Sequence, residues 1–221
     1  MTAIVNGGSD SDGVIYTTLN GPREIILKYY DGDYLIFVNG RHSYAVTVIN
    51  VNNPSGDVIE ATAANSDDNY ELVDPRFHDL QDRTDGLYWY IPNRLSNVVQ
   101  VIGVTSGPRL SSIGLIETMN TPLICKSFNI SSGLRAGYYL MVSGSEGLLI
   151  YNVSEINTTS LVFNTTVRDS TLEYQSYANW ISDPIIQPSR LTNTGPVPYI
   201  LISFYNGGRV MMNLEDPTSP V

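Results

Sequence analysis

Residues 136–156, AGYYLMVSGSEGLLIYNVSEI, run as two apolar strands about a polar Gly/Ser turn. This is the pattern of a hairpin. Three further stretches share the plan: GDYLIFVNGRHSYAVTVINVNNP (32–54), GLYWYIPNRLSNVVQVIGVTSGP (86–108) and PYILISFYNGGRVMMNLEDPTSP (198–220). Each has a Tyr-bearing apolar strand, a polar turn with Gly or Asn, and a β-branched or apolar strand. An alternating strand ending in Thr or Ala recurs between them, as VIYTTL (14–19), VIEATA (58–63), GLIETM (114–119) and LVFNTTV (161–167). A third short segment precedes each hairpin: REIILKYY, YELVDPRF, PLICKSF and EYQSYANWI. Every repeat therefore predicts four strands. Helical periodicity is rarely sustained, and no more than two short helices are expected.

The repeat runs roughly 44 to 57 residues, the range of four-stranded blades. The expected fold is all-β: a single domain over 1–221, forming a small closed β-propeller of about four blades of four antiparallel strands. The units are approximately 14–57, 58–112, 113–160 and 161–221. The last hairpin stops at DPTSPV, whereas strand 14–19 precedes any hairpin. The N-terminal strand is thus expected to complete the last blade, which removes exposed sheet edges. A β-sandwich is the alternative.

The stretch VIYTTLNGPREIILKYYDGDYLIFVNGRHSYAVTVINVNNP resembles an LVIVD-type repeat, and LLIYNVSEI and VMMNLEDPTSP resemble the apolar run that closes it. The resemblance implies a β-propeller. The signature Asp is replaced by Asn50 or Asn52 in the first unit and by Asn152 in the third, and VIGVTSGP in the second lacks it. Four blades would resemble the hemopexin-like type in size, without its closing disulfide.

Composition narrows the function classes. Charged residues are 15% of the chain and net charge is −10. The 12 basic residues are scattered, and Lys28 and Lys126 are the two lysines. No run could neutralise several adjacent phosphates, so a nucleic-acid partner is not expected. Cys125, the single cysteine, lies in PLICKSF and reads as a small core residue. The start MTAIVNGGSDSDG has neither a basic nor an apolar signal region, and no apolar stretch is long enough to span a membrane as a helix.

No catalytic constellation is visible. His42 in GRHSY and His78 in PRFHDL read as surface-loop histidines, and nucleophile elbows, phosphate loops and zinc spacings are missing. Asp10 and Asp12 in GGSDSDG have the i, i+2 spacing of a calcium loop, without its first and closing ligands. Glu24, Glu71 and Glu173 fall near the start of the inner strand in units one, two and four, beside Arg23, and would meet near one mouth of a propeller channel. They form either a weak cation site or a solvated acidic rim. No other cofactor is implied. Tyr44, Trp180 and Tyr205, read as loop residues beside Asn and Gly, are candidates for stacking on a sugar or a protein partner. The remaining tyrosines read as packing between strands.

These observations favour a non-enzymatic propeller that acts as a structural or interaction module with other proteins of an assembly, in a virion or an extracellular setting. A glycan-binding lectin is the second reading, although the four hairpin turns differ from one another. A glycoside hydrolase using two carboxylates is the third.

Overall fold

The computed structural model describes residues 21–52, 58–62, 72–105, 109–118, 121–144, 147–166, 178–188, 196–204 and 208–220. The chain divides into two compact units, Met1–Glu117 and Thr118–Val221. The described residues are all-β apart from one 3-10 turn at Ile156–Thr158.

The first unit holds two four-stranded antiparallel sheets. One runs β1 (Pro22–Tyr30), β2 (Asp33–Gly40), β3 (Ala45–Asn50), β4 (Val58–Thr62), and the other β5 (Asp79–Arg83), β6 (Gly86–Asn93), β7 (Val98–Thr105), β8 (Arg109–Glu117). Each is a meander in sequence order. Asp31 and Gly32 link β1 to β2 at φ +50° and +89°. Both values are positive, as a two-residue turn matching strand twist requires. The β2–β3 and β6–β7 turns each take four residues, 41–44 and 94–97, and both end on a residue at positive φ, Tyr44 and Asn97.

Leu35, Phe37, Val46 and Val48 of the first sheet pack with Leu72 and with Leu87, Trp89, Ile91, Ile102 and Val104 of the second. Phe37 meets the Trp89 ring edge-on at 5.0 Å, a geometry worth about 0.5–1.5 kcal/mol beyond the area buried. Ile26 and Tyr30 of β1 close over this core, and the Tyr30 hydroxyl donates to the Val104 carbonyl at 3.3 Å.

The second unit contains β9 (Pro122–Ile130), β10 (Gly137–Gly144), β11 (Gly147–Asn152) and β12 (Ser160–Thr166) as one meander. Its other sheet is built on β15 (Pro196–Phe204). Here β13 (Ala178–Ile181) and β14 (Ile185–Pro188) pair with successive parts of β15 on one side, and β16 (Arg209–Asn213) pairs on the other. Ile124, Phe128, Met141, Ile150, Ile200, Ile202 and Leu214 form its core. Cys125 is buried, as expected.

All four hairpins lie where their alternation places them, and VIEATA, GLIETM and LVFNTTV supply the last strands of three sheets. The sheets, spanning 22–62, 79–117, 122–166 and 178–213, are therefore phased differently from units beginning at 58, 113 and 161: the Thr-ended strand closes a sheet rather than opening the next. The segment YELVDPRF does not become the strand predicted for it. Pro75 lacks an N–H and Asp74 sits at φ +53°, so residues 72–78 are irregular and the strand starts at Asp79. Strand 14–19, expected to complete the last sheet, lies outside the described residues, among which no strand lies beyond β16.

Candidate functional site

The irregular segment before β5 is held by charge. Asp74 is buried, and three guanidinium groups face its carboxylate. Arg76 Nη2 lies 2.7 Å from Oδ2, Arg41 Nε 2.8 Å from Oδ1, and Arg94 Nη1 3.7 Å from Oδ2. Arg41 and Arg94 each open a four-residue turn, directly after the last paired residue of β2 and β6. The repeat thus presents two equivalent arginines to one carboxylate. Backbone bonds fix the segment, with Arg76 N–H donating to the Pro92 carbonyl at 2.9 Å and Arg94 N–H to the Asp74 carbonyl at 3.4 Å.

Burial draws the Arg76 guanidinium below its ordinary value; Asp74 opposes that, while Arg41 and Arg94 add to it. Arg76 is 9% exposed and its Nε has no hydrogen-bond partner among the described residues. The outer arginines differ, with side chains 30% (Arg41) and 43% (Arg94) exposed. A buried ion pair surrounded by two wetter cations ties sheet to sheet and leaves donor groups toward solvent.

Beside it, the buried Asn39 carboxamide accepts from the Glu24 N–H at 3.3 Å and donates to the Arg76 carbonyl. Glu24 Oε2 accepts from the His78 N–H at 2.8 Å and lies 3.9 Å from His78 Nε2. The expectation of a surface-loop histidine fails for His78, which is 2% exposed and stands edge-on to Trp89 at 5.3 Å. Its neighbours Pro75 and Asp79 suggested a loop, but the segment folds inward over the core. His42 is exposed, as expected.

Of the carboxylates expected near one mouth, Glu24 is described and is engaged with the His78 backbone. Glu71, Glu173, Asp10 and Asp12 lie outside the described residues. Among the described residues no three His, Cys, Asp or Glu side chains gather as a metal set. Arg23 is exposed on β1, and Tyr44 is exposed at the end of the β2–β3 turn. Trp180 belongs to strand β13 and not to the loop expected for it, while Tyr205 lies outside the described residues. Sequence reasoning missed Arg41, Asp74, Arg76 and Arg94. The matching Arg in GRHSY and NRLSN was the available signal.

A second surface feature lies on β1. Ile25, Leu27 and Tyr29 alternate along one face and are 64%, 61% and 59% exposed. Tyr34, register partner of Tyr29 on β2, is also exposed, with the two rings 5.0 Å apart. The opposite face of β1 packs on the core through Ile26 and Tyr30. The strand is apolar on both faces, so one apolar row faces solvent. Single exposed apolar residues are ordinary on any protein, whereas a contiguous row marks a contact surface.

No family model and no curated protein matches the chain. Among solved structures, BBS1N in complex with ARL6DN superposes with a TM-score of 0.51 at 16% identity, over 92% of this chain and 48% of that one. A GH43 β-1,3-galactosidase with galactodeoxynojirimycin gives 0.51 at 11% identity, over 90% and 73%. A functionally unknown protein from Desulfotomaculum acetoxidans DSM 771 gives 0.49 at 12%, over 86% and 56%. The chain spans about half the length of the first and last of these. At such identities the likeness is one of fold, all-β and propeller-like.

Proposed function

We propose that the chain is a non-enzymatic interaction or structural module, binding another protein of an assembly through the exposed apolar face of β1. The row Ile25, Leu27, Tyr29 with Tyr34 carries this reading. Its aromatic and aliphatic groups supply the desolvated anchor that protein interfaces use. The ion pairs around Asp74 tie turns and segments of the first unit together.

A virion or extracellular assembly is the proposed setting, supported by the lysine-poor, Asn-, Ser-, Thr- and Tyr-rich composition. The four-sheet repeat is read as four blades of LVIVD type, with strand 14–19 closing the last. Nothing in the described sites favours the lectin or hydrolase readings over this one.

The test is the chain's sedimentation with its native complex. Leu27→Asp with Tyr29→Asp should release the chain as a free species with an unchanged melting curve. Persistence of the complex would contradict the reading.

A further inference from the structure

The Asp74 cluster holds more positive charge than its one carboxylate answers. Three guanidinium groups face it, and among the described residues Asp74 is the acidic partner of all three. Among the described residues two positive charges are left without a carboxylate in a half-desolvated place, where they repel one another. Arg41 commits its Nε to Asp74. Among the described residues its terminal nitrogens, and most of the Arg94 guanidinium, keep donors for another acceptor.

Two observations indicate what that acceptor is. First, the resident carboxylate lies within 3.7 Å of every guanidinium, which shows that the cluster already accommodates a carboxylate. A planar monoanion also matches the paired donors of an arginine fork. Second, the turns that carry Arg41 and Arg94 each expose an apolar side chain, Tyr44 at 45% and Leu95 at 61%. A bare ion has no use for such flanks, whereas a peptide does.

We propose that Arg41, Arg94 and the buried Arg76 behind them receive one carboxylate from an acidic segment of a protein partner, whose apolar side chains rest on Tyr44 and Leu95. The proposal deepens the interaction reading and rests on it, while using a different surface from the β1 row. The chain as a whole is acidic, so recognition of an acidic segment must come from this local excess of arginine rather than from the protein's net field.

The experiment is fluorescence anisotropy of the full chain with a labelled acetyl-Leu-Glu-Leu-Glu-Leu amide, beside its Gln-for-Glu counterpart and inorganic phosphate. Saturable binding to the Glu peptide is expected, weakened by about tenfold or more in Arg41→Gln with Arg94→Gln and for the Gln peptide. Both substitutions lie in exposed turns, and an unchanged melting curve confirms that the fold is kept.

Equal affinity for the double variant, or for the Gln peptide, overturns the proposal. So does phosphate binding with the same arginine dependence while the peptide fails. Loss of arginine dependence with the β1 test intact refutes this inference alone; arginine-dependent peptide binding with a negative β1 test refutes the other alone.

Discussion

Arg41 and Arg94 stand at the same position of two turns 53 residues apart and face opposite oxygens of one carboxylate, Arg41 at 2.8 Å from Asp74 Oδ1 and Arg94 at 3.7 Å from Oδ2. A repeated hairpin thereby places its arginines around the buried Asp74 in the segment that leads into the second sheet. Arg76 adds the third contact from within the same segment.

Removing that acid strands a buried cation. Asp74→Asn should cost about 3–5 kcal/mol, the usual penalty for breaking one side of a buried pair. The urea midpoint of the chain measures it. A loss below about 1 kcal/mol, the size of an exposed pair, would show that Asp74 and Arg76 are solvated.

Arg41→Gln and Arg94→Gln should each cost less than about 1 kcal/mol, because their partly exposed guanidinium groups are already hydrated in the folded chain and Arg76 still pairs with Asp74. Arg76→Gln should cost more than either, since its nitrogens are buried. The same denaturation series checks the ranking. Equal losses at all three positions would contradict the division into one structural and two outward-facing arginines.

The hairpins were legible in the sequence because period-two alternation and turn residues are local signals. The Asp31-Gly32 turn and the strands from Gly86 to Thr105 needed nothing beyond their own residues. The arginine cluster was not legible, since Arg41 and Asp74 are 33 residues apart and their meeting depends on how two sheets pack. The same reason hid His78: a Pro-containing segment reads as a surface loop until the buried Trp89 draws its ring inward. The exposed row on β1 was partly visible, because REIILKYY is apolar at both parities, but sequence could not say which face is covered.

Tyr151 gives an alkaline signature. Burial pushes its phenol up to about 12. An unfolded tyrosine ionises near pH ~10, so between these values the unfolded chain holds fewer protons. The stabilisation is full below about pH 10 and is lost as pH rises toward 12. Tyr151→Phe should flatten this alkaline decline in denaturation midpoint, and phenolate absorbance should show one tyrosine fewer titrating late. An unchanged slope would show that Tyr151 titrates as a solvated phenol.

The proposal that strand 14–19 closes the last sheet is tested by truncation. If that strand completes the sheet, deleting residues 1–19 lowers the melting temperature of the chain, because an edge is left unpaired. A truncated chain that melts like the full one would contradict closure, and a β-sandwich would then be the better description.

The most direct measurement of the interaction reading is site-specific photo-crosslinking in the native assembly. A benzophenone side chain at Leu27 of β1 is compared with one at Ser131, an exposed polar position of the second unit. The account predicts a discrete adduct from position 27, mapping by mass spectrometry to one contiguous surface of a single partner protein, and abolished by Tyr29→Asp. Adducts equally abundant from position 131, or none from 27, would contradict it.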